Sequence, residues 1–271
     1  MPPDRVVDSD TARPRSVLRT VAVPAEHGGW SLTLEPVFLG LLVAWSWAGL
    51  ALGLAALLAF LARTPLKLVL VDKFRERWLD RTRLAMRVAA VELALLAILA
   101  LVAVAVGESG FWWPLVVAGP LITVELWFDM RSRSRRLIPE LCGTAGISSM
   151  AAVIALADGA ETSLAVGLWA VVAARASAAI PYVRTQLFRA RNRPYQLWHS
   201  DLAQVLAVGV TTVAWLLDAI PMAPVVALAV VGIINAVAVR RPPRPPKVLG
   251  FQQMGFGIAV IVVTATAVSI T

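Results

Sequence analysis

The sequence predicts an all-α fold, a polytopic transmembrane bundle of about nine helices. Three observations carry this. Of the 271 residues, 59 % are hydrophobic and 15 % charged, against about 45–50 % and about 25 % in soluble domains. The apolar residues gather in continuous runs about as long as a bilayer is thick, with no strand-like alternation. The basic residues lie in every second connection between those runs.

Disorder is excluded by the low charge and high hydropathy. A disulfide scaffold is excluded because Cys142 is the only cysteine. The first 20 or so residues are charged, contain prolines and lack the apolar core of a signal peptide. Residues 1–22 are therefore expected to form a disordered basic cytoplasmic arm, and 23–271 a single transmembrane domain.

Nine runs follow: Trp30–Trp47, Leu50–Val71, Ala85–Val106, Phe111–Phe128, Leu141–Ala157, Leu164–Tyr182, Leu202–Leu217, Met222–Val239 and Leu249–Ile270. The seventh and eighth lie closest together, so a fused or re-entrant pair is the main alternative. The N-terminal arm and the second, fourth, sixth and eighth connections, counted with the span ends that flank them, hold 24 of the 25 basic residues. The other connections hold Glu108, Asp158, Glu161 and Asp218 and no basic residue. This alternation predicts a cytoplasmic N-terminus and, with nine spans, an extracytoplasmic C-terminus. The net charge of +8 reads as topology and contact with anionic lipid heads. Nucleic acid is not an expected partner, because no recognition motif accompanies the charge.

The connection after span two, Leu66–Arg87, has neither glycine nor proline. It is expected to continue as a helix beyond the membrane. On such a helix Asp72, Glu76 and Asp80 share one face at i, i+4, i+8. They would form a Mg2+ site if one exists, with Arg75 beside them for phosphate oxygens. The alternative is a solvated helix whose charges pair among themselves. The connection after span six, Pro181–Asp201, is rich in arginine and aromatic residues. Arg184 and Arg189 are its candidate head-group ligands. Phe74-Arg-Glu-Arg77 and Phe188-Arg-Ala-Arg191 repeat one pattern after spans two and six, a faint echo of two halves.

Four charges fall within or near apolar runs: Glu35, Glu92, Glu125 and Arg175. Each costs about 2.5–3.5 kcal/mol at a helix centre on insertion scales. Arg175 must find a carboxylate or a ligand, and Glu35 and Glu125 are its candidate partners. Glu92 lies nearer the cytoplasmic end and is expected to pair with Arg87 or Arg83. At the start of span one, Ser31 or Glu26 is the expected polar cap of an interfacial helix entry, and the alternative has Glu26 and His27 facing the cytoplasmic mouth as polar-head ligands. Glu140 suits the first turn of span five, and Gly143 and Gly146 favour close helix packing.

Glu26-His-Gly-Gly-Trp30, Leu34-Glu-Pro-Val-Phe-Leu-Gly40 and Tyr182-Val-Arg-Thr-Gln-Leu-Phe-Arg189 resemble the signature of the YwiC-like family of bacterial membrane proteins. More distantly, the layout resembles UbiA-type intramembrane prenyltransferases. Those have nine helices, a cytoplasmic N-terminus and Asp-rich motifs after helices two and six that bind Mg2+-diphosphate. This chain departs from their Asn-Asp-x-x-Asp-x-x-x-Asp motif. Only Asp72 aligns; Arg75 and Leu79 stand at the next two aspartates. The resemblance implies an isoprenoid diphosphate or phosphate-headed lipid as ligand, with or without chain transfer. Two other readings of the residues stand beside it, a small-anion permease and a non-catalytic lipid-binding subunit. Oligomeric state is left open.

Overall fold

The computed structural model describes residues 27–131 and 136–271. Among these, nine helices and no strand are present. They are α1 His27–Val43, α2 Trp47–Phe74, α3 Asp80–Val106, α4 Trp113–Met130, α5 Leu137–Ala157, α6 Thr162–Ala190, α7 Leu197–Leu216, α8 Ala223–Ala238 and α9 Pro246–Ile270. Six of them, α2 to α6 and α9, are long and apolar enough to cross a membrane. The chain is a multi-pass membrane protein. The N-terminal arm lies outside the described residues.

Each helix begins and ends for local reasons. Ser46 caps α2, its hydroxyl accepting from the Gly49 N–H at 3.0 Å. Pro114, Pro224 and Pro246 sit in the first turns of α4, α8 and α9, where a missing N–H costs nothing. α2 ends at Phe74 because Glu76 turns left-handed, with φ 52°. The Glu76 N–H then reaches the Lys73 carbonyl at 3.1 Å and the Arg77 N–H the Asp72 carbonyl at 2.9 Å, a Schellman closure. α6 ends in the same way through Asn192, with φ 49°. Arg193 N–H donates there to Phe188 O at 2.9 Å. The expected continuous helix across Leu66–Arg87 therefore does not form. A non-glycine left-handed residue ends it, a signal that the absence of glycine and proline concealed.

This turn also corrects the echo between the two halves. The Arg75-Glu76-Arg77 and Arg191-Asn192-Arg193 turns correspond in backbone conformation. Phe74 and Phe188 do not, because they stand at different distances from their turns. α7 and α8 are separate helices joined by a turn around Asp218, so the two runs are not fused.

The helices pack around α5 and α6. Every residue from 150 to 157 is buried, and α6 buries an alanine-rich stripe including Ala174, Ala178 and Ala179. α1 packs against α2, α5, α6 and α9; α2 against α3; α4 against α5; α6 against α7; and α8 against α7 and α9. α3 is peripheral and leaves most of its apolar surface to lipid. Exposed Trp45, Trp47 and Trp112 lie at helix ends beside connections that hold no basic residue. Exposed Phe74, Trp78, Trp127 and Trp198 lie at those beside the basic ones. These positions suit two aromatic interface belts. α2, at 28 residues, is about 42 Å long and exceeds the roughly 30 Å hydrocarbon core.

Candidate functional site

Inside the bundle the charges form a buried centre and a belt nearer the basic end. The centre joins four helices. Arg175 of α6 and Glu35 of α1 are each 4 % exposed, and Nη1 lies 3.0 Å from Oε2. Glu35 Oε1 accepts from the Ser31 hydroxyl, one turn earlier, at 2.6 Å. Ser31 thus supports the carboxylate from within α1 instead of capping the helix. Arg175 Nη2 donates to the Gln253 carbonyl of α9. The Gln253 amide donates to Asn235 Oδ1 of α8 at 3.1 Å. Arg175 Nε is buried and has no hydrogen-bond partner among the described residues. Gly257 of α9 faces the Glu35 carboxylate, which occupies the space a Cβ would need.

The belt joins α2, α4, α5 and α6. Arg63 reaches Glu125 at 2.7 Å and Asp129 at 3.0 Å, and Lys67 reaches Asp129 at 3.1 Å. Of the two carboxylates proposed for Arg175, Glu35 is the partner, and Glu125 serves Arg63. Gly143 of α5 makes room for the Glu125 carboxylate, so α4 and α5 approach closely there. One turn earlier on α5, Glu140 accepts from Arg184 at 2.9 Å. Arg63, Lys67, Asp129 and Glu140 were not among the sequence candidates. The signal for the first three is two like-charged i, i+4 pairs at the ends of apolar runs, Arg63/Lys67 and Glu125/Asp129, each an apparent repulsion that its counterpart cancels.

The connection between α2 and α3 is not the expected acidic face. Asp72 is buried, accepts from the Thr82 hydroxyl at 2.6 Å and has Arg81 at 3.6 Å. Arg75, Glu76 and Asp80 are exposed. The turn at Glu76 separates the three carboxylates, with Asp72 in α2 and Asp80 in α3. Among the described residues no group of three or more His, Cys, Asp or Glu gathers to hold a metal. With Asp72 taken by Thr82 and Arg81, the residues here do not fit the Mg2+ that the UbiA resemblance implies. Glu92 also departs from expectation: its Oε2 is buried without a hydrogen-bond partner, and no ion pair joins it to Arg83 or Arg87 among the described residues. Glu26 and the His27 side chain lie outside the described residues.

At the basic end of α6, Arg189 Nη1 donates to the Val239 carbonyl and, at 2.8 Å, to that of Arg241. Gln186 donates to Ala238 O at 3.0 Å. These bonds close the carbonyls that α8 leaves open at its C-terminus. Arg189 also lies 5.6 Å from the Tyr195 ring centroid. Both Arg189 acceptors are neutral carbonyls. A cleft of about 570 Å³ opens there, lined by Arg189, Asn192, Arg193, Pro194, Tyr195 and Pro243. Nearby, Arg240 grips Asp201 at 3.0 and 2.7 Å. That hydrogen bond, with the carboxylate charge, raises the Arg240 guanidinium above its ordinary value. A second cavity of about 300 Å³, lined by Leu141, Ala174, Ser177, Pro181, Leu206 and others, runs between α5, α6 and α7.

Residues 23–155 match the YwiC-like protein family. The YwiC-like segment covers α1 to α4 and nearly all of α5, hence Glu35, Arg63, Lys67, Glu125, Asp129 and Glu140. Arg175, Arg184 and Arg189 lie beyond it, so both the buried centre and the belt join the YwiC-like segment to the helix that follows. No curated protein and no solved structure matches the chain.

Proposed function

We propose that this is a bacterial cytoplasmic-membrane protein that binds a phosphate-headed isoprenoid or similar lipid at its cytoplasmic, basic end. The observation that carries the reading is the cleft of about 570 Å³ at the end of α6, lined by Arg189, Arg193 and Tyr195 among others. Guanidinium forks suit phosphate oxygens. The hydrogen-bond acceptors of Arg189 are carbonyls, so no carboxylate competes there with a phosphate head. The apolar cavity supplies a place for the chain: Pro181 on its lining is eight residues, about 12 Å, before Arg189 along α6. Chain transfer of the UbiA type would need a metal for the leaving diphosphate. Asp72 is bound to Thr82 and Arg81 instead, so the reading is binding without transfer.

The test is thermal unfolding of the detergent-purified protein with prenyl diphosphates, each with and without Mg2+, beside the matching alcohols. A bound ligand at about 100 times its dissociation constant stabilises by about 2.7 kcal/mol. The diphosphates are expected to stabilise without Mg2+ and the alcohols to do so less. Arg193→Ala is expected to abolish the difference. No shift with any diphosphate would sink the reading.

A further inference from the structure

The lipid reading leaves the buried Arg175–Glu35 pair without a task. A buried ion pair is seldom needed for stability, since an apolar pair of similar volume serves as well or better. In hydrocarbon it marks function by default. The arrangement at Arg175 is also incomplete. Nη1 is taken by Glu35 and Nη2 by the Gln253 carbonyl, while Nε–H is buried and free among the described residues. Each Glu35 oxygen already has a partner, Ser31 on Oε1 and Arg175 on Oε2. A strong donor with no acceptor, on a side chain 4 % exposed, calls for an acceptor.

The charge balance limits what that acceptor can be. Around Glu35, α6 offers Arg175, α9 offers Gln253 and Gly257, and α8 offers Asn235 through Gln253. α2 and α5, which also pack on α1, meet it through Gly53 and Ile154. Among the described residues they place no ion-pair partner on Glu35. The centre is thus neutral, one cation and one anion. An added anion would leave a net negative charge in a medium that penalises it heavily. A proton on Glu35 removes that charge.

We propose that the Arg175–Glu35 centre binds a small monovalent anion together with one proton. The anion takes the Nε–H edge of Arg175 and replaces Glu35 as its counter-ion. The Glu35 carboxylate forms one O–H bond with a proton drawn from solvent. No other bond is made or broken, and the centre stays neutral: arginine cation, bound anion, neutral acid. The Arg175 side chain is 4 % exposed, so the anion is one of a few atoms. The planar guanidinium edge suits a carboxylate-like oxyanion such as formate better than a sphere such as chloride.

The parent protein in detergent is titrated with sodium formate or sodium chloride against gluconate at constant ionic strength, from about pH 5 to about pH 8. Unfolding temperature and, in weak buffer with an indicator dye, proton uptake are followed. Formate is expected to stabilise, one proton is expected to enter per anion, and apparent affinity is expected to fall up to about tenfold per pH unit on the alkaline side, by reciprocal linkage. Glu35→Gln is expected to keep formate binding but lose both proton uptake and pH dependence. Arg175→Gln is expected to lose binding. Absence of any formate response in the parent, or formate binding without proton uptake, would overturn the proposal. These readouts need only the parent protein, so a variant that fails to fold does not shelter it. Arg193→Ala is expected to keep the formate response, which separates this site from the lipid-head cleft.

Discussion

Gly257 of α9 lies so close to Glu35 of α1 that the carboxylate occupies the place of a Cβ. The glycine is needed there for space, and its backbone is ordinary helix. Gly257→Ala is therefore expected to displace the carboxylate and destabilise the protein by about 1–3 kcal/mol. Gly255→Ala, two residues away with nothing within 4 Å of its Cβ position, is expected to be neutral or to gain up to about 1 kcal/mol from helix propensity. Thermal unfolding of the two variants side by side checks this. Equal shifts would mean that α9 does not meet Glu35 as described.

The buried pair itself behaves as a unit. Arg175→Met alone is expected to cost about 3–5 kcal/mol, because Glu35 would be left buried with only Ser31. Adding Glu35→Leu is expected to recover most of that loss, since two apolar side chains need no counter-charge. A double-mutant cycle by denaturation in mild detergent measures the coupling. Additive losses would show that the two side chains do not interact.

Much of the bundle is legible in the sequence because hydrocarbon leaves few alternatives: apolar runs become helices and basic residues collect at alternate ends. Arg175 announces a partner by its cost alone, and Glu35 is one of the two carboxylates at suitable depth. The α2–α3 connection was less legible. Glycine and proline are the usual marks of a helix end, and here Glu76 takes the left-handed position with neither nearby. The belt was illegible for a different reason. Arg63 and Lys67 look like ordinary flanking positive charges until tertiary packing sets Glu125 and Asp129 against them.

Glu76 then gives a prediction of its own. A left-handed φ of 52° costs a β-carbon-bearing residue roughly 1 kcal/mol, and glycine adopts it freely. Glu76→Gly is expected to raise stability by about 0.5–1 kcal/mol. Glu76→Val is expected to lower it, because a branched Cβ fits this region worse. Unfolding midpoints of the two variants against the parent decide the matter; a loss in the glycine variant would mean that the helix does not end there.

Asp72 and Thr82 clasp the two sides of the same turn at 2.6 Å. Thr82→Val keeps the shape and removes the donor, leaving a buried carboxylate with Arg81 at 3.6 Å. A cost of about 1–3 kcal/mol follows. The turn between α2 and α3 carries exposed Arg75 and Arg77, both trypsin sites. Limited tryptic cleavage there is expected to speed up in Thr82→Val and in Asp72→Ala. Unchanged cleavage in both would remove the clasp from the account.

The orientation and the number of crossings can be tested together with single cysteines in a Cys142→Ala background. α8, with 16 residues, is about 24 Å long, short for a span of roughly 30 Å, so the α7–α8 turn is the informative site. Cysteines replacing Asp158 and Asp218 are expected to react with a membrane-impermeant maleimide in intact cells. A cysteine replacing Arg77 is expected to react only after permeabilisation, because basic connections stay inside. Labelling of the Asp218 position only after permeabilisation, with Asp158 still labelled from outside, would make α7 and α8 a re-entrant pair. A reversal of all three would invert the protein and move the basic cleft to the outer face, where a cytoplasmic lipid head could not reach Arg193.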